Sequence, residues 1–190
     1  PSSRSRTVTI AEDSEERGPS KPRLKRGITQ KVVTSSSKGN ALGSDGDKDD
    51  NIALLTEAQT HANSFVGYLE NVDALADALS IVRIQEGETI MAQGETGTWV
   101  GILLRGTLDV IVGGKAVFTI MPGNFVGEMI LWTGGVRQAT VVAGGEGVIA
   151  TILVSELNEL AQSNPALASK LLQSTAAQSC RSVIRTKVMK

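Results

Sequence analysis

Phe125-Val126-Gly127-Glu128, followed nine residues after the glutamate by Arg137-Gln138-Ala139-Thr140, is the stretch on which the reading of this chain turns. Gly127 allows the backbone to approach a ligand closely. A short helix over Glu128 to Trp132 would aim free backbone amides inward, where helix N-termini favour anions. Arg137 could then grip a phosphate with two prongs while Glu128 accepts a hydrogen bond from a sugar hydroxyl. The competing reading is an ion pair across a turn that binds nothing, which is the commoner fate of a Glu and an Arg at this spacing.

Outward from that stretch, the sequence is β-rich and punctuated by glycine. Runs at Ser80 to Ile84, Thr89 to Ala92, Trp99 to Leu104, Thr107 to Val112, Ala116 to Met121, Ala139 to Ala143 and Val148 to Val154 read as strands, as does the segment at Phe125. Gly87, Gly94, Gly97, Gly106, Gly113-Gly114, Gly123 and Gly144-Gly145 separate them. Short strands with tight turns predict a small jelly-roll or barrel.

Helical patterns flank the β-region. Leu54, Leu55, Ala58, Ala62, Phe65, Val66 and Leu69, then Val72, Leu75, Ala76 and Leu79, recur at spacings of three and four. Asp50 or Asn51 is the expected cap of the first helix, and Ser155 that of a helix over Glu156 to Gln162. Asn164-Pro165 opens a final helix carrying Leu167, Leu171, Leu172, Ala176 and Ala177.

The chain has 190 residues and a net charge of −1, so a domain built chiefly to bind nucleic-acid backbone is not expected. One cysteine, Cys180, and one histidine, His61, exclude an internal disulfide and speak against a zinc site. No run approaches the ~18 consecutive apolar residues of a membrane span, and no signal-peptide core precedes the first helix. An intracellular, cytoplasmic chain is expected, and a start at Pro1 fits a piece of a longer protein. Residues 1–51 mix Ser, Gly, Pro and charged residues without period. Such a tail cannot bury enough apolar surface to offset its ordering entropy, so it is expected to order only on other protein subunits, in an assembly such as a cilium or flagellum axoneme.

Several ordered motifs together resemble the cyclic-nucleotide-binding domain family, which includes the regulatory subunits of protein kinase A and the bacterial catabolite activator protein. They are Gly87-Glu88-Thr89-Ile90, Gln93-Gly94-Glu95-Thr96-Gly97, Ile102 through Val110, Pro122 through Glu128, and Arg137-Gln138-Ala139-Thr140-Val141. The resemblance implies a mainly β fold, a jelly-roll-like β-roll over 80–154, with an N-terminal helical bundle over 52–79 and C-terminal helices over 155–190. It implies that Glu128 holds a ribose 2′-hydroxyl and Arg137 a cyclic phosphate, with Gly127 and the following amides completing the pocket. The candidate ligand-binding set is therefore Gly127, Glu128, Met129, Ile130, Arg137, Gln138 and Ala139, with cAMP or cGMP as ligand and no metal or other cofactor.

The chain departs from the family pattern at Ile130, where a small residue is usual, and at Gln138, where a small residue or a hydroxyl is usual. Residues 155–190 also contain no Phe, Trp or Tyr to cover a base. Trp132, at the end of the cassette helix, reads as packing more readily than as a base-stacking platform, and Cys180 as inert packing rather than a reactive thiol. These departures favour a structural or regulatory component of a larger assembly, with nucleotide binding weakened or lost, over a live cAMP- or cGMP-responsive module. No nucleophile–base constellation or GxxxxGK phosphate loop is present, and a non-enzymatic protein is expected.

Overall fold

The computed structural model describes residues 45–62, 64–69 and 72–188. Eight strands form the centre: β1 (Ser80–Ile84), β2 (Thr89–Met91), β3 (Trp99–Arg105), β4 (Leu108–Val112), β5 (Lys115–Ile120), β6 (Phe125–Val126), β7 (Thr140–Ala143) and β8 (Gly147–Leu153). They make two four-stranded sheets, ordered β1-β8-β3-β6 and β2-β7-β4-β5, and every strand pairing is antiparallel. The result is the expected β-roll with helices at its ends.

The pattern of side chains explains the layering. Leu103, Leu108, Val110, Val126, Val141 and Ile149 fill the space between the sheets. Val100, Ile102, Leu104, Ala150 and Ile152 face the other way, into a second core shared with the helices. Successive side chains of a strand point to opposite faces, so β3 and β8, buried on both faces, are written as continuous apolar runs rather than alternating ones.

Helix α1 (Asp45–Gln59) and the short α2 (Val72–Ala78) lay Leu55, Ala58, Leu75 and Ala76 on this second core. Between them, a 3-10 turn at Val66–Tyr68 is tied to α1 by the Gln59 carboxamide, which donates to the carbonyls of Val66 and Leu69 at 3.2 and 2.7 Å. Helix α1 starts at Asp45, inside the stretch expected to be an unstructured tail, and runs through Asp50 and Asn51, so neither caps it. Lys48 of this first part pairs with Asp77 of α2 at 2.7 Å, a tertiary partner that composition does not reveal. The rest of the tail, and with it the expected protein partners, falls outside the described residues.

At the other end, α3 (Val154–Ser163) is capped differently from expectation. The backbone N–H of Leu153 donates to the Glu156 carboxylate at 3.1 Å, so the first-turn acid, not Ser155, closes the helix start. Helix α4 (Pro165–Val188) begins as the sequence predicts, with Leu167 N–H donating to the Asn164 side-chain oxygen at 3.2 Å. Among the described residues, no helix is long and apolar enough to cross a membrane.

Candidate functional site

The loop leaving β6 builds the site. Gly127 takes φ +75° and leads into a single 3-10 turn over Glu128–Leu131. Two constraints make this position glycine: a Cβ is strained at positive φ, and it would overlap the Arg137 Nη1. A turn this short builds almost no macrodipole, since that field sums over aligned peptide units. Any anion held here must therefore rely on Arg137 more than on a helix N-terminus.

The backbone of Arg137 is placed by the loop between β2 and β3. Arg137 N–H donates to Glu95 O at 2.8 Å, its carbonyl accepts from Gly94 N–H at 2.9 Å, and Gly97 N–H reaches Gly135 O at 2.7 Å. The side chain then turns inward and is only 4% exposed. Nη1 donates to Gly127 O at 3.0 Å and Nη2 to Trp99 O at 2.8 Å, while Cζ lies 4.7 Å from the Trp99 ring centroid. Such a cation–ring contact is worth about 0.5–2 kcal/mol, more as water is excluded. Gly97 makes room for this packing: a Cβ there would sit 2.7 Å from Ile130 Cγ2 and 2.8 Å from Arg137 Cζ.

Glu128 is 6% exposed and does not form the ion pair with Arg137 that the competing sequence reading allows. Its carboxylate turns to α4, where Ser179 Oγ donates to Oε1 at 3.5 Å. Burial pushes the Glu128 carboxyl up to about 7, against the opposing pull of the Gln178 and Ser179 bonds and the Arg137 charge. Burial likewise lowers Arg137 to about 10, against the charges of Glu128 and Glu95. Two buried, oppositely charged groups with separate protein partners are thus held in one site.

They meet at a cavity of about 170 Å³, and all seven candidate residues, Gly127, Glu128, Met129, Ile130, Arg137, Gln138 and Ala139, line it. Ile130 borders the cavity but also belongs to the helix-side core. Gln138 is exposed and its carboxamide donates back to Val136 O at 2.9 Å, so its bulk is directed at its own loop. The aromatic at this cavity comes from β5 as Phe118, not from the C-terminal helices. Trp132 is 48% exposed and Cys180 is exposed, so neither is the core packing residue that a packing role would suggest.

Sequence reasoning passed over Trp99, Gln178 and Ser179. The Trp99 carbonyl accepts from the Arg137 side chain 38 residues away, and the Gln178 side chain bonds the Phe125 backbone 53 residues away, distances at which no local pattern operates. Ser174, Thr175, Gln178 and Ser179 are all buried on one face of α4, so that face does not stand out as an apolar stripe in the sequence.

Comparison with known proteins agrees with this geometry. Residues 81–164 match the family model described as cyclic nucleotide-binding domain. The cGMP-dependent protein kinase of Toxoplasma gondii is 38% identical over 79 residues, covering 41% of this chain and 8% of that kinase. The cAMP-dependent protein kinase regulatory subunit of Schizosaccharomyces pombe is 34% identical over 87 residues, covering 45% of this chain and 21% of the subunit. The chain thus spans a minor part of these relatives' length. A solved cyclic nucleotide-binding domain from Methylobacillus flagellatus superposes with a TM-score of 0.58 at 20% identity, over 76% of this chain and 85% of that one, and shows the shared fold. With the β-roll, the cassette turn and the family match coinciding, residues 81–164 are a domain of the cyclic nucleotide-binding family.

Proposed function

We propose that this chain is a non-enzymatic regulatory module that binds a cyclic purine mononucleotide, cAMP or cGMP, between Glu128 and Arg137. The observation that carries this is the convergence of two buried, unlike charges on one cavity without a bond between them. A merely structural pair would be expected to close on itself, because two buried charged groups held apart on separate polar partners cost more than the same two paired directly. In the bound state Arg137 would face the cyclic phosphate, Glu128 the ribose hydroxyl, and Phe118 the apolar part of the base. Isothermal titration calorimetry with both nucleotides tests this, and absence of heat at millimolar ligand would refute it.

A second reading, a structural component of a larger assembly with the switch weakened, is favoured by one specific observation. The cavity of about 170 Å³ is smaller than the ~300 Å³ at which small-molecule sites usually begin. Under that reading neither nucleotide binds, and the chain instead co-purifies in a stable complex through its tail, residues 1–51.

A further inference from the structure

The edge of the helix-facing sheet is closed in an unusual way. Strand β6 is the last in its sheet, and at Phe125, 2% exposed, its outer N–H and C=O have no further strand to pair with. One side chain takes that place. Gln178 of α4 accepts from Phe125 N–H at 2.6 Å and donates to Phe125 O at 2.7 Å. A carboxamide carries the donor and acceptor of a peptide unit, so it mimics a neighbouring strand, and buried backbone groups left unpaired are costly. Next to it, Ser179 reaches Glu128, so α4 is fastened to both β6 and the site.

Gln178 also stands between two chambers. The cavity at Glu128 and Arg137, about 170 Å³, and a second of about 120 Å³ reaching Asn124 and Arg181 share Phe118, Ile120, Gln178 and Ser182 as a common wall. Merged, they approach the ~300 Å³ lower bound of ordinary ligand sites. Neither chamber alone does.

We propose that Gln178 is a positioning residue, a latch that holds α4 over the site and partitions it, and that its bonds to Phe125 must be released before a nucleotide can be seated. This rests on the nucleotide reading for its ligand, but the latch itself does not. A ligand that needs a minor open form binds with an apparent affinity reduced by the open fraction. Weakening the latch should raise that fraction and tighten binding, the reverse of what loss of a ligand contact would do.

The test uses the full chain, its Gln178→Ala variant and its Gln178→Glu variant, all at pH 8.5, where the ionised carboxylate of the last keeps an acceptor for Phe125 N–H but lacks the donor for Phe125 O. Hydrogen exchange without ligand should show the Phe125 amide and the α4 amides around residue 178 exchanging about tenfold faster in Gln178→Ala, with the β3–β8 amides unchanged. Titration with cAMP and cGMP should show about tenfold tighter binding and faster association in Gln178→Ala, with Gln178→Glu between the two. Unchanged exchange would overturn the latch. Faster exchange with equal or weaker binding would overturn its control of the site. If neither the unaltered chain nor a variant binds either nucleotide, the nucleotide reading and the gating both fall, while the exchange rates still decide whether Gln178 fastens α4.

Discussion

Glu128 should make this protein less stable as the pH rises through neutrality, and replacing it should remove the effect. Its carboxyl is shifted from 4.5 to about 7 by burial, with the bonds from α4 and the charge of Arg137 opposing. Between those two values the folded chain holds a proton that the unfolded chain has released. The contribution of this group is therefore fully present below 4.5, fades as pH rises through about 7, and is absent above. At 1.36 kcal/mol per tenfold change in proton affinity, the shift corresponds to about 3 kcal/mol. Glu128→Gln keeps the shape of the protonated carboxyl without its titration. Its midpoint in urea or heat should match that of the unaltered chain at pH 4 and exceed it at pH 8.5 by about 3 kcal/mol, or roughly 6–12 °C for a chain of this size. Comparing two variants at each pH cancels the other titrating groups. A stability difference that is constant with pH, or that grows as pH falls, would refute the argument that desolvation governs this residue.

Three other outcomes follow from the same geometry. Arg137→Ala should weaken cyclic nucleotide binding roughly ten- to a hundredfold by calorimetry, and should also lower the melting temperature because the Gly127 and Trp99 carbonyls lose their donors. Gly127→Ala combines a strained φ of +75° with overlap onto Arg137, and should cost about 1–3 kcal/mol in denaturant unfolding while abolishing binding. Gln59→Ala breaks the two bonds between α1 and its 3-10 turn; it should destabilise the fold by about 1–3 kcal/mol and leave nucleotide affinity unchanged, and a change in affinity would mean that the N-terminal helices act on the site.

An ionisable residue that reduces stability in the pH range where it is charged is a poor choice for packing. Its place beside a cavity fits the ligand contact proposed above better than a packing role. The same holds for Arg137, which is buried among protein acceptors yet lies along the cavity wall.

Much of the fold was legible in the sequence because the signals are local. Glycine-punctuated apolar runs mark the strands to within a residue or so of β1 through β8, and Asn164-Pro165 starts α4 where it stands. Gly127, Glu128 and Arg137 could be named from spacing, since the turn between β6 and β7 carries them on one short connection. What stayed hidden depended on partners distant in the chain. The start of α1 at Asp45 goes with an ion pair to α2, and the cap of α3 comes from Glu156 reaching back rather than from Ser155. Whether Glu128 and Arg137 pair with each other, and whether α4 closes the site through Gln178, was decided only by how the sheets and helices pack. Hydrogen bonds across 38 to 53 residues leave no period or motif in the sequence. The chain itself thus determined which chemical groups are available at the site, and the tertiary structure decided which of them are already engaged, because burial and long-range hydrogen bonding set both their charge and their freedom to meet a ligand.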